Sequence, residues 1–569
     1  MSKSSIIALA CLLVSMSQAL AEQPLAPRRP TLGECRVPFT PSSGDYEFNQ
    51  ARQTTPEQPT DARVGTIHYT RLPIFDETNP RENNTLFRWA NAFHVLTQIK
   101  TIQQELLFAP GDAYQQRLID ESARILRGSR YLYDSAIRLV RHCDDVVDVE
   151  VITRDLWSLT PEISYDRSGG NSSHRIGIAD TNLLGAGKRI SLSSKRDIDR
   201  DSLRLAYEDD NIRGSRTRTQ LAYTQSDDGQ TQLVHIYKPF YALDSRRAWR
   251  LRLQTDSRQE GQYRRGNQVS EVAHDTDSLR ASYGVSDGLV AGYTQRWRLG
   301  YGYEKDTFEP VNGEPSPSQF PRNRTLAYPF FNYAIVEDNY KTAFNLDQIH
   351  RTEDLHLGIA FDAQLGYAAK VLGSDRNRLV LAGNFHSTLL YSSRSLLQHG
   401  LTWYGLWNQE QDKGEDIQLD YNMRYFHTQT DKRSFFAQLD VTYTRGLNTH
   451  RQVVLGGESG ARAFDSRFQT GDRRVLLTLE ERQYTNIHFL NLIRVGYAAF
   501  FDIGRAWQPG VDDGIDQDLL ADVGVGLRLA SSKANSGSIV HVDIAFPLTH
   551  QDDPDIGQFQ LAINIKNRF

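Results

Sequence analysis

The feature that most constrains this chain is a period-two alternation of apolar and polar residues that recurs through most of its length. Between Phe559 and the terminal Phe569, apolar side chains including Ile563 and Ile565 occupy alternate positions. Residues 520–531 show the same alternation. Because successive side chains of a strand point to opposite faces, each segment predicts a β-strand with one apolar and one polar face. The segments are close to the ~9–11 residues of a tilted membrane strand.

A soluble β-sandwich would also alternate, so the charges on the polar face decide between the two folds. That face carries Asp522, Arg528 and Asp543. An unpaired charge in a sandwich core costs several kcal/mol, whereas a water-filled lumen accepts it. We therefore predict an all-β transmembrane barrel over residues 157–569. Dividing this length among about sixteen antiparallel strands leaves roughly 26 residues for each strand and its loop.

The N-terminus and the overall charge indicate the compartment and narrow the partners. Residues 1–21 have the basic start, apolar stretch and Ala-x-Ala site of a secretory signal peptide, and residues 22–62 have the composition of a periplasmic linker. No later apolar run approaches the ~20 residues of a helical membrane span. Cys35 and Cys143 can form one disulfide in an oxidising compartment. The net charge of −5 gives no support for a nucleic-acid partner.

Residues 63–156 have a mixed pattern that predicts a small α+β domain. The predicted elements are a strand at 64–69, helices at 84–97, 102–108 and 113–126, and strands at 131–140 and 146–156. The apolar stripe of the first helix consists of Leu86, Trp89, Ala90, Phe93 and Leu96.

Two motifs near the C-terminus suggest a contact inside the barrel. Counting strands back from the C-terminus places residues 448–472 in an outer loop, the sixth of a sixteen-stranded barrel, and this loop contains Arg462 and Phe464. The strand that follows contains the pattern F-x-D-x-G at Phe500, Asp502 and Gly504. Period two puts these three residues together on the lumen face.

In these motifs the sequence resembles the BamA/TamA/two-partner-secretion transporter superfamily, also called the bacterial surface antigen barrel. The resemblance implies that the outer loop folds into the lumen, where Arg462 pairs with Asp502 and Phe464 takes the aromatic position. A guanidinium binds a carboxylate bidentately, which suits it to anchoring a long loop. Glu480 and Arg482, on the lumen face of the preceding strand, could join or compete for the pair. Ala463 replaces the usual glycine, so a tip that needs a positive φ there would be strained.

Other segments fit the same family. Residues 180–188 resemble its early N-F-L-G-x-G turn, and residues 63–156 are identified as one POTRA-like domain. The resemblance implies an outer-membrane protein of a diderm bacterium, embedded in outer-membrane lipids, with this domain in the periplasm. It also implies an unknown polypeptide client that is translocated or inserted, and insertion of the barrel itself by the assembly machinery, which would recognise Ile563, Ile565 and Phe569. The alternative is a passive porin or structural surface antigen.

Catalytic patterns are missing from the sequence. Residues 457–460 do not complete G-x-S-x-G, and no H-E-x-x-H or Cys/His zinc motif occurs. We therefore expect neither an enzyme nor a bound cofactor or metal. Two acidic loops could bind a cation, although solvated outer loops are commonly acidic. Their residues are Asp512, Asp513 and Asp516, and Asp552, Asp553 and Asp555.

Overall fold

The computed structural model describes residues 40–43, 46–48, 61–143, 145–511, 516–533 and 539–566. The predicted signal peptide, most of the predicted linker, Cys35 and Phe569 lie outside the described residues, as does the side chain of Cys143. The disulfide and the aromatic C-terminal signal therefore stay predictions.

The N-terminal part folds as an α+β domain around a three-stranded sheet. Its elements are β1 (Arg63–Leu72), α1 (Thr85–Phe93), α2 (Ile99–Gln103), α3 (Gln116–Arg127), β2 (Leu132–Cys143) and β3 (Val146–Asp155). The sheet order is β1-β3-β2, with β1 parallel and β2 antiparallel to the central β3. On one face of the sheet, Val149 and Val151 pack with Ile102 and Leu126 from the helices. Phe48 and Leu72 cover Ile152 on the other face.

The helix α1 differs from its prediction. It ends at Phe93, and Leu86, Trp89 and Phe93 are 68%, 63% and 80% exposed. Phe87 is buried instead and stacks on Phe75 with the ring centroids 4.0 Å apart. Residues 85–93 are therefore helical as predicted, but three of the five residues of the predicted stripe face outward, whereas Ala90 is buried. The helices α2 and α3 each lie within a few residues of their predicted positions.

The rest of the described chain is a closed antiparallel barrel. Its first strands are β4 (Leu159–Ser168), β5 (Asn171–Asp180), β6 (Lys188–Arg196), β7 (Asp201–Asp209), β8 (Arg218–Ser226), β9 (Gln230–Lys238), β10 (Arg247–Arg264), β11 (Asn267–Val290), β12 (Tyr293–Pro310) and β13 (Arg324–Glu337). A hairpin of β14 (Tyr340–Phe344) and β15 (Thr352–His356) stands outside the barrel sheet. The barrel continues with β16 (Ala360–Ala368), β17 (Arg378–Tyr391), β18 (Ser395–Asn408), β19 (Lys413–Thr430) and β20 (Arg433–Arg445). A second separate hairpin is β21 (Val453–Leu455) with β22 (Gln469–Gly471). The barrel ends with β23 (Arg473–Phe489), β24 (Ile493–Trp507), β25 (Leu520–Ser531), β26 (Ile539–Pro547) and β27 (Gln560–Lys566).

The predicted barrel class is confirmed, but the predicted number of about sixteen strands is wrong, because the described residues form twenty. The estimate assumed even spacing along the chain. Residues 159–238 alone contain six strands of nine or ten residues joined by short turns. Such strands need far less chain than the average that the estimate used.

The two faces of the strands follow the alternation. On β25, Val523 and Val525 are exposed on the outside, whereas Asp522 and Arg528 are buried on the lumen side. The apolar face is the one that lipid can cover, as expected for a membrane barrel. None of the helices in the described part of the chain is long and apolar enough to cross a membrane.

The N-terminal domain contacts the strand connections at one end of the barrel, which we call the domain end. The amide of Gln98 donates to the carbonyl of Gly185 at 2.8 Å in the turn that was predicted from the family pattern. Arg216 in the next such turn binds Glu105 at 2.7 Å. The insertion 338–359 also starts from this end, and its Asp354 binds Arg127 at 2.8 Å. These contacts hold the domain across the mouth of the barrel.

Candidate functional site

The segment 446–472, which we call the lumen loop, enters the barrel from the end opposite the domain end. We call this opposite end the far end. It is the eighth connection at that end of the described barrel rather than the sixth, because the barrel has additional strands. Ala463 and Phe464 of its tip are each 1% exposed. They belong to a cluster of buried apolar residues that includes Leu476 and Phe500 of the wall. The tip of the loop is therefore packed like a protein core.

Arg462 at the tip binds the barrel wall through its guanidinium. Nε donates to Asp502 Oδ2 at 2.7 Å and Nη2 donates to Asp502 Oδ1 at 3.1 Å. The guanidinium carbon lies 3.4 Å from the centroid of the Phe500 ring. The structure thus brings together the pair that the family resemblance implied, in the bidentate and stacked geometry that favours arginine over lysine.

Two further carboxylates complete the environment of Arg462. Nη1 donates to Asp543 Oδ2 at 3.0 Å, and Nη2 lies 3.3 Å from Glu480 Oε1. Glu480 also accepts from Arg482 Nε at 3.0 Å, so these two residues join the pair rather than compete for it. Asp543 was missed as a partner, although the alternation of its strand had placed it on the lumen face.

We call this group the anchor cluster. Its members are Arg462, Glu480, Arg482, Asp502, Asp522, Arg528 and Asp543. All of them are at most 5% exposed. The cluster contains three arginines and four carboxylates, so its charges nearly balance. Removing one partner from such a buried network leaves an uncompensated charge, which is costly in a low-dielectric site.

The backbone of the tip is also held. Asp522, which lies opposite Asp502 in the strand register, accepts from the amide of Ala463 at 3.3 Å. The condition under which Ala463 would be strained is not met, because Ala463 does not have a positive φ, whereas the neighbouring Gly460 (φ 103°) and Ala461 (φ 56°) do. Ala461 therefore carries the left-handed backbone, which costs a residue with a Cβ about 1–2 kcal/mol.

The remaining residues of the F-x-D-x-G pattern serve the packing around Asp502. A Cβ on Gly504 would lie 2.7 Å from the carbonyl oxygen of Val475 and 3.0 Å from Leu476 Cδ1, so only glycine fits there. Phe464 packs against Phe468 with the centroids 5.8 Å apart. The aromatic position of the loop is thus filled by a side chain in the apolar cluster beside the ion pairs.

The barrel closes between β27 and β4, at a junction that we call the seam. Among the described residues only Ile563 and Arg167 are paired there, and the amide of Ile565 donates to Asp166 Oδ1 at 3.0 Å. By contrast, β26 and β27 are paired continuously from Ile539 to Ala545. The residues that were predicted to signal barrel assembly, Ile563 and Ile565, therefore lie at the seam. Its backbone pairing is the sparsest in the described barrel.

The lumen loop touches both sides of the seam. The amide of Ser466 donates to the carbonyl of Gly169, in the turn after β4, at 3.0 Å. Gln560 at the start of β27 donates from Nε2 to Asp465 Oδ1 at 2.9 Å. Gly169 has φ +52°, and a Cβ there would lie 1.9 Å from the amide nitrogen of Ser466. The tip therefore links the first hairpin to the last strand.

A cavity of about 540 Å³ opens in the lumen and is lined by residues of β9 to β13 and of β16 to β18. Its charged lining consists of Lys238, Arg250, Arg280, Arg296, Arg298 and Asp362. Five cations against one carboxylate make the cavity basic. Sequence reasoning missed it, because the cations come from different strands that are adjacent only in the barrel.

Glu353 of the insertion is the most perturbed carboxyl outside the barrel strands. It accepts hydrogen bonds from the amides of Leu346 and Asp347, each at 2.8 Å. Burial, together with the nearby charge of Asp347, raises the pKa of Glu353 to about 7. We therefore expect this insertion to respond to pH near neutrality.

Three aspartates of the acidic outer loops, Asp516, Asp553 and Asp555, are paired with arginines. Asp516 binds Arg264 at 2.8 Å and also contacts Arg265. Arg265 reaches Asp555 at 3.2 Å. Asp512 and Asp513 lie outside the described residues.

Comparison with known protein families shows which family this chain belongs to. The sequence profile described as the Omp85 superfamily domain matches residues 182–567. The chain belongs to the Omp85 superfamily. This Omp85 protein is thus an outer-membrane β-barrel, as the resemblance to BamA and the two-partner-secretion transporters implied. No curated protein sequence matches the chain.

Solved structures of similar architecture have low identity to the chain. CdiB from Acinetobacter baumannii is 12% identical with a TM-score of 0.45, covering 89% of this chain and 73% of CdiB. CdiB from Escherichia coli is 14% identical with a TM-score of 0.43, covering 89% and 76%. BamA from Haemophilus ducreyi lacking POTRA domains 1–3 is 14% identical with a TM-score of 0.37, covering 88% and 84%.

Proposed function

We propose that this Omp85 protein moves an extended polypeptide client into or across the outer membrane. The observation that carries the proposal is the seam, where a single pair of described residues is matched and where the lumen loop holds both sides. The client enters from the domain end. The seam is then either the place where the client leaves the barrel or the strand edge on which the client pairs as it is inserted. Membership of the Omp85 superfamily supports this proposal.

The energetics of the seam favour opening there. Each intramolecular hydrogen bond contributes about 0.5–1.5 kcal/mol net, so a junction with one paired position separates at far lower cost than its neighbours. Apart from Arg462 of the lumen loop, the residues of the anchor cluster lie on β23, β24, β25 and β26, on the C-terminal side of the seam. Because the tip of the loop also binds Gly169 on the other side, its release would free the seam.

The N-terminal domain offers a receiving surface. Within the described residues, β2 pairs with β3 alone, so its other edge has no strand neighbour. An extended peptide can add to such an edge as a further strand. We interpret the domain as POTRA-like and periplasmic, and its order of strand, helices and two strands supports that interpretation.

A covalent lock on the seam tests the proposal. In a background with Cys35→Ser and Cys143→Ser, the pair Ile563→Cys and Arg167→Cys would join β27 to β4 through positions that already face each other. Assembly or secretion of the client should stop under oxidising conditions and recover on reduction. Ile563→Cys with Val542→Cys joins β27 to β26 and is the matched control, because it leaves the seam free. Equal activity of the locked and control proteins would contradict the proposal.

The alternative function, a passive porin or structural surface antigen, is favoured only by the basic cavity. Deleting the gene and profiling the outer-membrane and surface proteome separates the two. A translocase should leave specific proteins missing. An unchanged profile, with ion conductance that is unaffected by deletion of residues 63–156, would favour the porin.

A further inference from the structure

Three residues that are distant in sequence meet on the lumen side near the far end. They are Glu260 on β10, His274 on β11 and His450 in the lumen loop. Their ligand atoms all lie within 4.8 Å of one another. We propose that these three residues bind a divalent transition-metal ion of the zinc type, which pins the lumen loop to the barrel wall.

The distances suit ligands that surround one ion. His274 Nδ1 lies 3.1 Å from Glu260 Oε1, and His450 Nε2 lies 3.8 Å from Glu260 Oε2. Metal–nitrogen and metal–oxygen bonds of about 2.0–2.2 Å at tetrahedral angles separate neighbouring ligand atoms by roughly 3.4 Å. The two histidine distances, each to a different oxygen of the Glu260 carboxylate, lie on either side of that value, and the separation between the histidine nitrogens is at most 4.8 Å. Two imidazoles and one carboxylate are a set that zinc accepts, with a fourth position left for water.

A second layer of contacts orients the ligands. His274 Nε2 lies 3.2 Å from Asp306 Oδ1, so a proton on Nε2 leaves Nδ1 to face Glu260. A carboxylate behind a histidine ligand is the usual device that sets its tautomer in metal sites. Arg258 donates from Nε to Glu260 Oε1 at 2.8 Å, which holds this carboxylate in place. Glu260 Oε2 is then directed toward His450.

His450 is the residue that joins the loop to this site. Its ring lies 4.6 Å from the Phe308 ring and 5.1 Å from the His274 ring, between centroids. Its Nδ1 is buried and has no hydrogen-bond partner among the described residues. The 3.8 Å from Nε2 to Glu260 exceeds a hydrogen bond. The ring is thus held in place by packing, while its Nε2 faces a carboxylate that it does not bind directly.

The site would act independently of the anchor cluster. Residue 450 is at the start of the lumen loop and Arg462 is at its tip, so a bound ion would fix the loop at a second point. The inference stands whether the barrel is a translocase or a porin, because it concerns only the attachment of the loop.

Zinc binding by the full-length protein in detergent micelles tests the proposal. After metal is removed with EDTA, equilibrium dialysis against zinc chloride should give one zinc per wild-type chain. His450→Gln should lose that zinc. His235→Gln is the matched control, because His235 lies on β9 and contacts Gln220 at 3.0 Å rather than a carboxylate. Asp306→Asn should keep the stoichiometry and weaken binding by about 10–100-fold, as expected for a residue that only positions a ligand.

A second measurement tests the pinning of the loop. Arg451 is exposed and follows His450 directly, so trypsin can report on access to this segment. Zinc should slow cleavage after Arg451 at least tenfold in the wild type and have no effect in His450→Gln. Because residue 450 lies in a loop, this variant should keep the heat-modifiable behaviour of a folded barrel. Equal zinc content in wild type and His450→Gln would overturn the site, and zinc binding without slower cleavage would overturn the pinning.

Discussion

Replacing Arg462 with alanine tests the anchor of the lumen loop directly. The change removes four hydrogen bonds to Asp502, Asp543 and Glu480 and the stacking on Phe500. It leaves two arginines to balance four buried carboxylates in the anchor cluster. Breaking a buried ion pair from one side costs about 3–5 kcal/mol. At about 1.36 kcal/mol per factor of ten, the released state of the tip should be populated roughly 10²–10⁴-fold more often.

Hydrogen exchange measured by mass spectrometry on the protein in micelles detects this state. The amide of Phe464 donates to the carbonyl of Ala461, and that of Gly457 donates to Phe464, each at 3.1 Å. Peptides that cover residues 455–465 should therefore exchange faster in Arg462→Ala by the factor given above. Arg462→Lys keeps the charge but loses the bidentate geometry, and should be intermediate.

The matched control is Arg467→Ala in the same loop. Arg467 binds Asp199 with two hydrogen bonds at 2.7 and 2.8 Å, but the two side chains are 26% and 31% exposed. A pair of that exposure contributes about 1 kcal/mol or less, so exchange should rise tenfold at most. If Arg462→Ala exchanged at the rate of the wild type, or no faster than Arg467→Ala, the anchor would be refuted.

Other predictions concern the insertion, the wall and the cavity. Raising the pH from about 5 to 8 should loosen residues 338–359 by up to about 3 kcal/mol, because the raised pKa of Glu353 (about 7 against 4.5) contributes stability that is present below 4.5 and lost as the pH rises through 7. In hydrogen exchange corrected for the intrinsic pH dependence of amide exchange, this loss of protection should be smaller in Glu353→Gln than in the wild type, and identical corrected profiles would contradict the prediction. Gly526→Ala should destabilise the barrel by about 1–3 kcal/mol in urea unfolding, because a Cβ at this position would lie 1.8 Å from the Asp543 carboxylate. The control is Gly400→Ala, where the Cβ would meet only a carbonyl oxygen at 3.5 Å, and it should change the stability by less than about 0.5 kcal/mol. In planar bilayers any residual conductance should prefer anions, and Arg298→Gln should reduce that preference; unchanged selectivity would show that ions do not pass the basic cavity.

Much of the fold could be predicted because alternation is a local property. Each strand shows its two faces in its own sequence, so the lumen positions of Asp502 and Asp543 followed without any knowledge of neighbours. The number of strands could not be predicted, because an estimate from average spacing does not detect turns as short as Gly169-Gly170. The exposed face of α1 was also misjudged, because helical spacing shows a stripe but not what covers it.

The sequence by itself determined a barrel with one apolar face, a small α+β domain before it and, through family resemblance, the contact of Arg462 with Asp502. The tertiary structure alone decided that Asp543, 81 residues beyond Arg462, completes the anchor. It also decided that Glu260, His274 and His450 converge on one point. The physical reason is that strand geometry orients a side chain within its own segment, whereas the neighbours it meets depend on the register and closure of the whole sheet.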